Sequence, residues 1–310
     1  MTSISLPTRA ATTSDDAFGP GDWLLFLGIA TIWGSSFFFI AVALESLQPG
    51  LITFLRVGLG ALVLALLPGN ERRPVEAADR SRFVALSVLW VALPFTLFPL
   101  AEQHINSAVT GLLNGGTPIF AAIAGTLWFG RSPRGLQLLG IAVGFVGVSL
   151  ISAPSLGEGS SEALGVALVV LATMCYGVAI NLAAPLQQAY GSVATMGRVL
   201  ALASIWTLPF GLWDLRGSTF EWKPVLAIAV LGMVGTGSAF AIMATLVGRV
   251  GPQRASFSTY LMPAVSLAIG VTFQGDHVSP VALVGVVLVI GGALLASRKV
   301  SARSSDPGSV

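Results

Sequence analysis

Charge is what this chain most lacks. Asp, Glu, Lys and Arg make up only 10% of its 310 residues, against about 25% in a soluble globular domain. That is too few ionised groups to cover a water-soluble body of this size. With 54% apolar residues and a mean hydropathy of +0.84, the remaining surface suits bilayer hydrocarbon. Titratable chemistry is scarce as well. The single Cys175 lies in an apolar run and cannot form an intramolecular disulfide. His104 and His277 lack metal-ligand spacing. No acid falls deep in an apolar run, and Glu45, Glu102 and His104 read as solvated groups at helix ends. A catalytic set of nucleophile and base, metal cluster or paired carboxylates is therefore excluded on residue supply, so the chain reads as no enzyme. No nucleotide loop or cofactor motif is present. A formal charge of +2 is too small a margin to imply a nucleic-acid partner.

What the chain has in abundance is long apolar runs. A spanning helix needs about 20 mostly apolar residues. Runs of that kind fall at 23–43, 51–67, 83–101, 106–129, 135–152, 163–182, 193–212, 224–247, 253–273 and 281–297. The connectors carry turn-formers such as Gln48-Pro49-Gly50 and Arg131-Ser132-Pro133. The pattern predicts an all-α integral membrane protein of ten transmembrane helices. Residues 1–22 and 298–310 read as polar, disordered cytoplasmic tails. With the N-terminus in the cytoplasm, Arg9, Arg72, Arg73, Arg80, Arg82, Arg131, Arg134, Arg249, Arg254, Arg298, Lys299 and Arg303 all face inward. The outer side receives only Arg216 and Lys223. This positive-inside asymmetry predicts N-in, C-in topology.

The second half repeats the first. At an offset of 145, Pro118 falls on Pro263, Gly125 on Gly270, Gly130 on Gly275, Gly140 on Gly285, Gly147 on Gly292 and Ser152 on Ser297. Glycine and proline fix backbone shape, so these matches carry more weight than their number. At slightly smaller offsets Trp33-Gly34 meets Tyr176-Gly177, and Arg56-Val57 meets Arg198-Val199. The repeats are expected at 23–152 and 163–297, joined by an external linker at 153–162 that is rich in Ser, Gly and Pro. Five helices per repeat make the second copy enter the membrane from the opposite side, the inverted arrangement of many secondary transporters.

The run Ile32-Trp33-Gly34-Ser35-Ser36-Phe37, then Phe54-Leu55-Arg56-Val57-Gly58, the mid-helix proline of the fourth span and the Gly-rich fifth span resemble the EamA family of the drug/metabolite transporter superfamily. The resemblance covers about 23–297 as two EamA repeats. It implies an exporter or exchanger of small metabolites in the bacterial inner (plasma) membrane. Its central cavity would be lined by the first, third, fourth, sixth, eighth and ninth helices.

Within that frame the candidate residues are few. A proline inside a helix frees the carbonyl four residues earlier, which is Asn114 for Pro118 and Thr259 for Pro263. These two prolines are the expected kinks or gates. Thr110, Asn114, Thr117, Ser256, Thr259 and Tyr260 are the polar groups around them, and Ser36 belongs to the first-helix motif. Trp33 and Tyr176, equivalent in the two repeats, lie too deep for an interfacial belt and are placed to stack on a solute or to pack the interior. Arg56 and Arg198 are the charges within spans, suited to a structural or gating role or to snorkelling. Uncharged hydroxyls, amides and aromatics suit neutral, zwitterionic or amphipathic, amino-acid-like metabolites. The rival readings are a passive channel or facilitator with the same cavity, and a sensor or scaffold. Small-residue faces at Gly111/Gly115 and Gly140/Gly144/Gly147 allow close contact within the protomer or across a homodimer seam.

Overall fold

The structure, a computed structural model, describes residues 19–67, 73–128, 130 and 135–296. Arg9, Arg72, Arg131, Arg134, Arg298, Lys299, Arg303, Ser297 and most of both expected tails lie outside the described residues. Every regular element among the described residues is helical. This follows from the composition, because lipid offers no partner for backbone N–H and C=O groups and each segment must satisfy its own.

Nine helices among the described residues are long and apolar enough to cross a bilayer. They are α1 (Pro20–Ala43), α2 (Pro49–Leu66), α3 (Ala77–Ala101), α4 (Ser107–Leu127), α5 (Leu136–Pro154), α6 (Ser160–Tyr190), α7 (Ser192–Gly217), α8 (Trp222–Val250) and α9 (Arg254–Gln274). A shorter apolar helix, α10 (Pro280–Ala296), follows. Helix runs through much of the expected linker 153–162, up to Glu158 and again from Ser160, with Gly159 at φ +154° between them. Proline stands in the first turn of α1 and α2, where its missing N–H costs nothing.

The helices alternate between two faces, here the N face, where α1 begins, and the far face. At the far face Gly50 N–H donates to Asp214 Oδ2 at 2.7 Å, and Lys223 pairs with Glu45 at 2.7 Å. At the N face Tyr190 donates to Asp79 Oδ2 at 2.9 Å. Trp23 and Trp128 stand exposed at the N-face ends of α1 and α4, and Trp213 and Trp222 at the far-face ends of α7 and α8. These are the positions of interfacial aromatic belts.

Buried side chains form one cluster toward the far face, around Phe37, Ile40, Phe98 and Leu112, and another toward the N face, around Phe83, Leu86, Leu186 and Leu200. Tyr176 packs against both. The α5 and α10 helices run along each other so closely that a Cβ on Gly147 would lie 2.7 Å from the Gly285 carbonyl oxygen. The small-residue face of α5 is thus occupied inside the protomer.

Candidate solute pathway

The helices α1, α3, α4 and α8 are interrupted near their middles and α9 in its first half, which places irregular backbone inside the bundle. Ser35 divides α1 into Pro20–Gly34 and Ser36–Ala43, and the Ser35 and Ser36 hydroxyls both donate to the Ile32 carbonyl. Gly115 and Gly116 divide α4, and a 3-10 turn at Phe257–Leu261 interrupts α9. Wider π turns occupy Ser87–Ala92 in α3 and Met233–Ser238 in α8. Such turns mark functional sites in many helices. The offset of 145 that superposes Pro118 on Pro263 carries 87–92 onto 232–237, within one residue of the observed π turn of α8. It also carries Phe95 onto Phe240.

The far half of the candidate pathway centres on Arg56. Buried on α2, its guanidinium lies 3.9 Å from the centroid of the Phe95 ring on α3, and its Nε donates to Thr236 Oγ1 on α8 at 3.1 Å. Thr236 in turn donates to the Leu231 carbonyl, five residues back, so the π turn aims this hydroxyl. Thr53 donates to the Pro49 and Phe95 carbonyls, each at 2.9 Å, and holds α2 against α3. Tyr176 on α6 is within electrostatic reach of Arg56 and packs on Phe98, its ring centroid 5.9 Å away. Arg56 therefore joins three helices, so it does not snorkel.

Among the described residues the contacts between α4 and α9 concentrate over their far halves. There a Cβ on Gly115 would lie 2.6 Å from Pro263 Cγ, so the break in α4 seats the break in α9. Asp276, just past α9, accepts from Ser107 Oγ at 2.8 Å and from the Ala108 N–H at 2.9 Å, at the N-terminus of α4. Asn106 Nδ2 donates to the His277 carbonyl at 3.1 Å, and Ser266 Oγ to the Ser107 carbonyl at 3.3 Å. These contacts latch the far face. Toward the N face the two helices take different neighbours: α4 packs on α6, whereas α9 packs on α1 and α8. Rings from α1, α3 and α8 meet in the N-face half, with Phe240 at 5.8 Å from Trp33 and 6.4 Å from Trp90.

The expected site residues fall at several depths. Trp33, Thr117, Tyr176, Thr259 and Tyr260 are half-buried, and Ser36, Thr110 and Asn114 are buried. Ser256 is exposed near the N-face end of α9. Thr110 donates to the Asn106 carbonyl at 3.0 Å. The carbonyls that the prolines free are both capped. Thr117 Oγ1 donates to that of Asn114 at 2.8 Å, and the Met262 N–H donates to that of Thr259. Pro118 and Pro263 lie in the first turns of new helical pieces, so each proline restarts a helix after a break. Tyr260 reaches away to the Ala293 carbonyl of α10 at 3.3 Å. Arg198 is half-buried at the N face, donates to the Arg73 carbonyl, and flanks the rings of Tyr190 and Phe83 at 5.5 and 5.7 Å.

Glu102 corrects an expectation. Glu45 is an exposed partner of Lys223, and His104 reaches Ser161 Oγ at 2.8 Å in an exposed contact. Glu102, immediately past α3, instead has both carboxylate oxygens buried, with no hydrogen-bond partner among the described residues. Burial, reinforced by Asp276 and opposed by Arg56, raises its carboxyl well above the ordinary range. The sequence Ala101-Glu102-Gln103-His104 reads as a polar turn, and no local signal distinguishes the buried member.

The EamA-like transporter family matches residues 21–153 and again 163–298. A "probable terminal-alkyne amino-acid exporter" of Streptantibioticus cattleyicolor is 26% identical over 92% of this chain and 97% of its own. The "uncharacterized inner membrane transporter YedA" of Escherichia coli K12 is 24% identical over 85% of this chain and 86% of its own. A solved crystal structure, 18% identical, shares the fold over 89% of this chain and 96% of its own, with a TM-score of 0.59. Two family matches that together span nearly all of the helical chain, with the apolar helices that carry them, place it as a multi-pass inner-membrane transporter: the chain belongs to the EamA-like transporter family.

Proposed function

We propose that the chain is a secondary transporter that exports or exchanges small neutral, zwitterionic or amphipathic metabolites, amino-acid-like in chemistry, by alternating access. In this reading ten transmembrane helices form two inverted repeats, 23–152 and 163–297, and both termini are cytoplasmic, which makes the far face the outer one. The observation that carries it is the α4–α9 pair, joined at the far face by Asp276 and Pro263 and packed on different neighbours toward the N face. Such a pair has one end to open and one to close, as a carrier with a fixed central site requires.

Trp33, Tyr176, Asn114 and Thr117 are the groups assigned to the solute, with Ser36, Thr110, Ser256, Thr259 and Tyr260 along its path. Rings and amides there suit an amphipathic amino acid, and Arg56, held by Phe95 and Thr236, has a structural or gating role. The relative named as an amino-acid exporter supports both the solute class and the direction.

Proteoliposomes loaded with a panel of neutral amino acids and their derivatives test the proposal. Saturable counterflow is expected, whereas non-saturating flux would favour a facilitator. Failure of every panel member to move, with none stabilising the protein against heat, would overturn the transport reading. Asn114→Ala and Thr259→Ala are each expected to weaken the apparent affinity, and unchanged transport in both would remove these residues from the path.

A further inference from the structure

A carboxylate without a partner is among the least tolerated groups in a protein interior, and the usual escape is to bind a proton. Glu102 is in that position, at the junction of the elements that close the far face. From α2, Arg56 faces it, but the guanidinium is committed to the Phe95 ring and, through Nε, to Thr236. From the segment after α9, Asp276 acts on it as a like charge while bonded to the N-terminus of α4. On α6, Tyr176 lies on the Arg56 side, beside Cys175. His104, in the same turn as Glu102, is directed to Ser161, and His277 follows Asp276 at the rim. Glu45 is neutralised by Lys223 at the surface.

Two carboxyl groups, Glu102 and Asp276, thus share one closed region, with one of them built into the latch. While the latch holds, both Glu102 carboxylate oxygens are buried and no donor among the described residues reaches them to support a negative charge. Separation of α4 from α9 would hydrate it. We propose that Glu102 is a proton-binding site of the transporter, filled while the far face is closed, and that loss of this proton favours release of the Asp276 latch. Its link to solute movement rests on the alternating-access reading, but the site itself does not.

The sign follows from proton affinity. The closed form holds the Glu102 proton more tightly than an open, hydrated form, because burial and Asp276 raise its carboxyl and Arg56 only partly opposes them. Closure is therefore fully favoured below the ordinary carboxylate range. It weakens as pH climbs from that range through the raised value. The proton passes between Glu102 and water on the far side, and no other group is consumed. Closing the far face, the step that follows solute release in an exporter, then draws a proton from the compartment that receives the solute.

Infrared spectra of the full-length protein in nanodiscs, recorded through a pH titration, test the site without any solute. A protonated-carboxyl band is expected at neutral pH in the wild type and absent in Glu102→Gln. A wild type without the band, or a band equally strong in Glu102→Gln, overturns the proposal. Closure is read by maleimide labelling of Val109→Cys in a Cys175→Ser background, since Val109 is buried beside the latch. The ratio of labelling with Glu102 present to labelling with Glu102→Gln removes the thiol's own pH dependence. That ratio is expected to rise about tenfold toward alkaline pH, the effect of a one-unit difference in proton affinity. A flat ratio overturns the proposal. Glu102→Met, of similar volume and without a titratable group, gives the same expectations should Glu102→Gln fold poorly. Failure of these readouts removes the proton site and leaves the transport reading intact, whereas an intact band with a silent solute panel removes only the transport reading.

Discussion

Arg56 and Arg198 occupy the same place in the two repeats, yet the molecule treats them differently. Arg56 is sealed between Phe95 and Thr236 and ties α2 to α3 and α8. Arg198 lies half-buried at the N face, bonded to a loop carbonyl and flanked by two more distant rings. Their ring partners differ as well: Phe95 supports a cation, whereas its equivalent Phe240 meets Trp33 and Trp90 edge to face. In the proposed inverted-repeat reading each face has the same parts and a structure closed at one face engages one set, so the contrast between the two arginines would report which end is shut.

That contrast can be broken in a graded way. The largest effect is expected for Arg56→Ala, which removes a desolvated cation–π contact and a charge-assisted hydrogen bond. The loss is about 3–5 kcal/mol, read as a fall in the thermal unfolding midpoint in detergent. Arg56→Lys should recover little of it, because a lysine lacks the planar face that lies on Phe95; full recovery would show that charge alone matters. Next comes Gly115→Val, whose added carbons would collide with Pro263. Overpacking there should cost about 1–3 kcal/mol and raise labelling of a far-face cysteine. The same change at Gly28, where nothing lies within 4 Å, should do neither. Arg198→Ala should cost about 0.5–1 kcal/mol and leave far-face labelling unchanged; an effect as large as that of Arg56→Ala would erase the distinction between the faces. The smallest change is expected for Lys223→Ala. Its exposed pair with Glu45 should contribute less than about 0.5 kcal/mol, and that difference should vanish in high salt.

The helical plan was legible because lipid imposes it: apolar runs and the recurrence of glycine and proline at a fixed offset need no tertiary information. The breaks in α4 and α9 were legible for a similar reason, since Pro118 and Pro263 act on their own helices. The π turns of α3 and α8 left no such trace: that of α8 lies in Met233-Val234-Gly235-Thr236-Gly237-Ser238, a stretch without proline. The freed carbonyls are capped by local partners, Thr117 and the Met262 N–H. Glu102 was read as a solvated group because its sequence neighbours are polar. What buries it comes from elsewhere in the chain, with Arg56 on α2 on one side and Asp276 beyond α9 on the other. Sequence periodicity has no access to contacts of that range.

Where α5 and α10 press backbone to backbone at Gly147 and Gly285, with the Val289 and Ile151 side chains packed tightly beside the contact, there is little room to slide or re-pack. Such a line can serve as an axle but not as a rail. If one repeat rocks against the other, displacement must vanish along this line and grow with distance from it. A bulky residue at Gly147 or Gly285 would then shift the pivot itself, altering the amplitude of opening at both faces together while every solute-contacting group stayed in place.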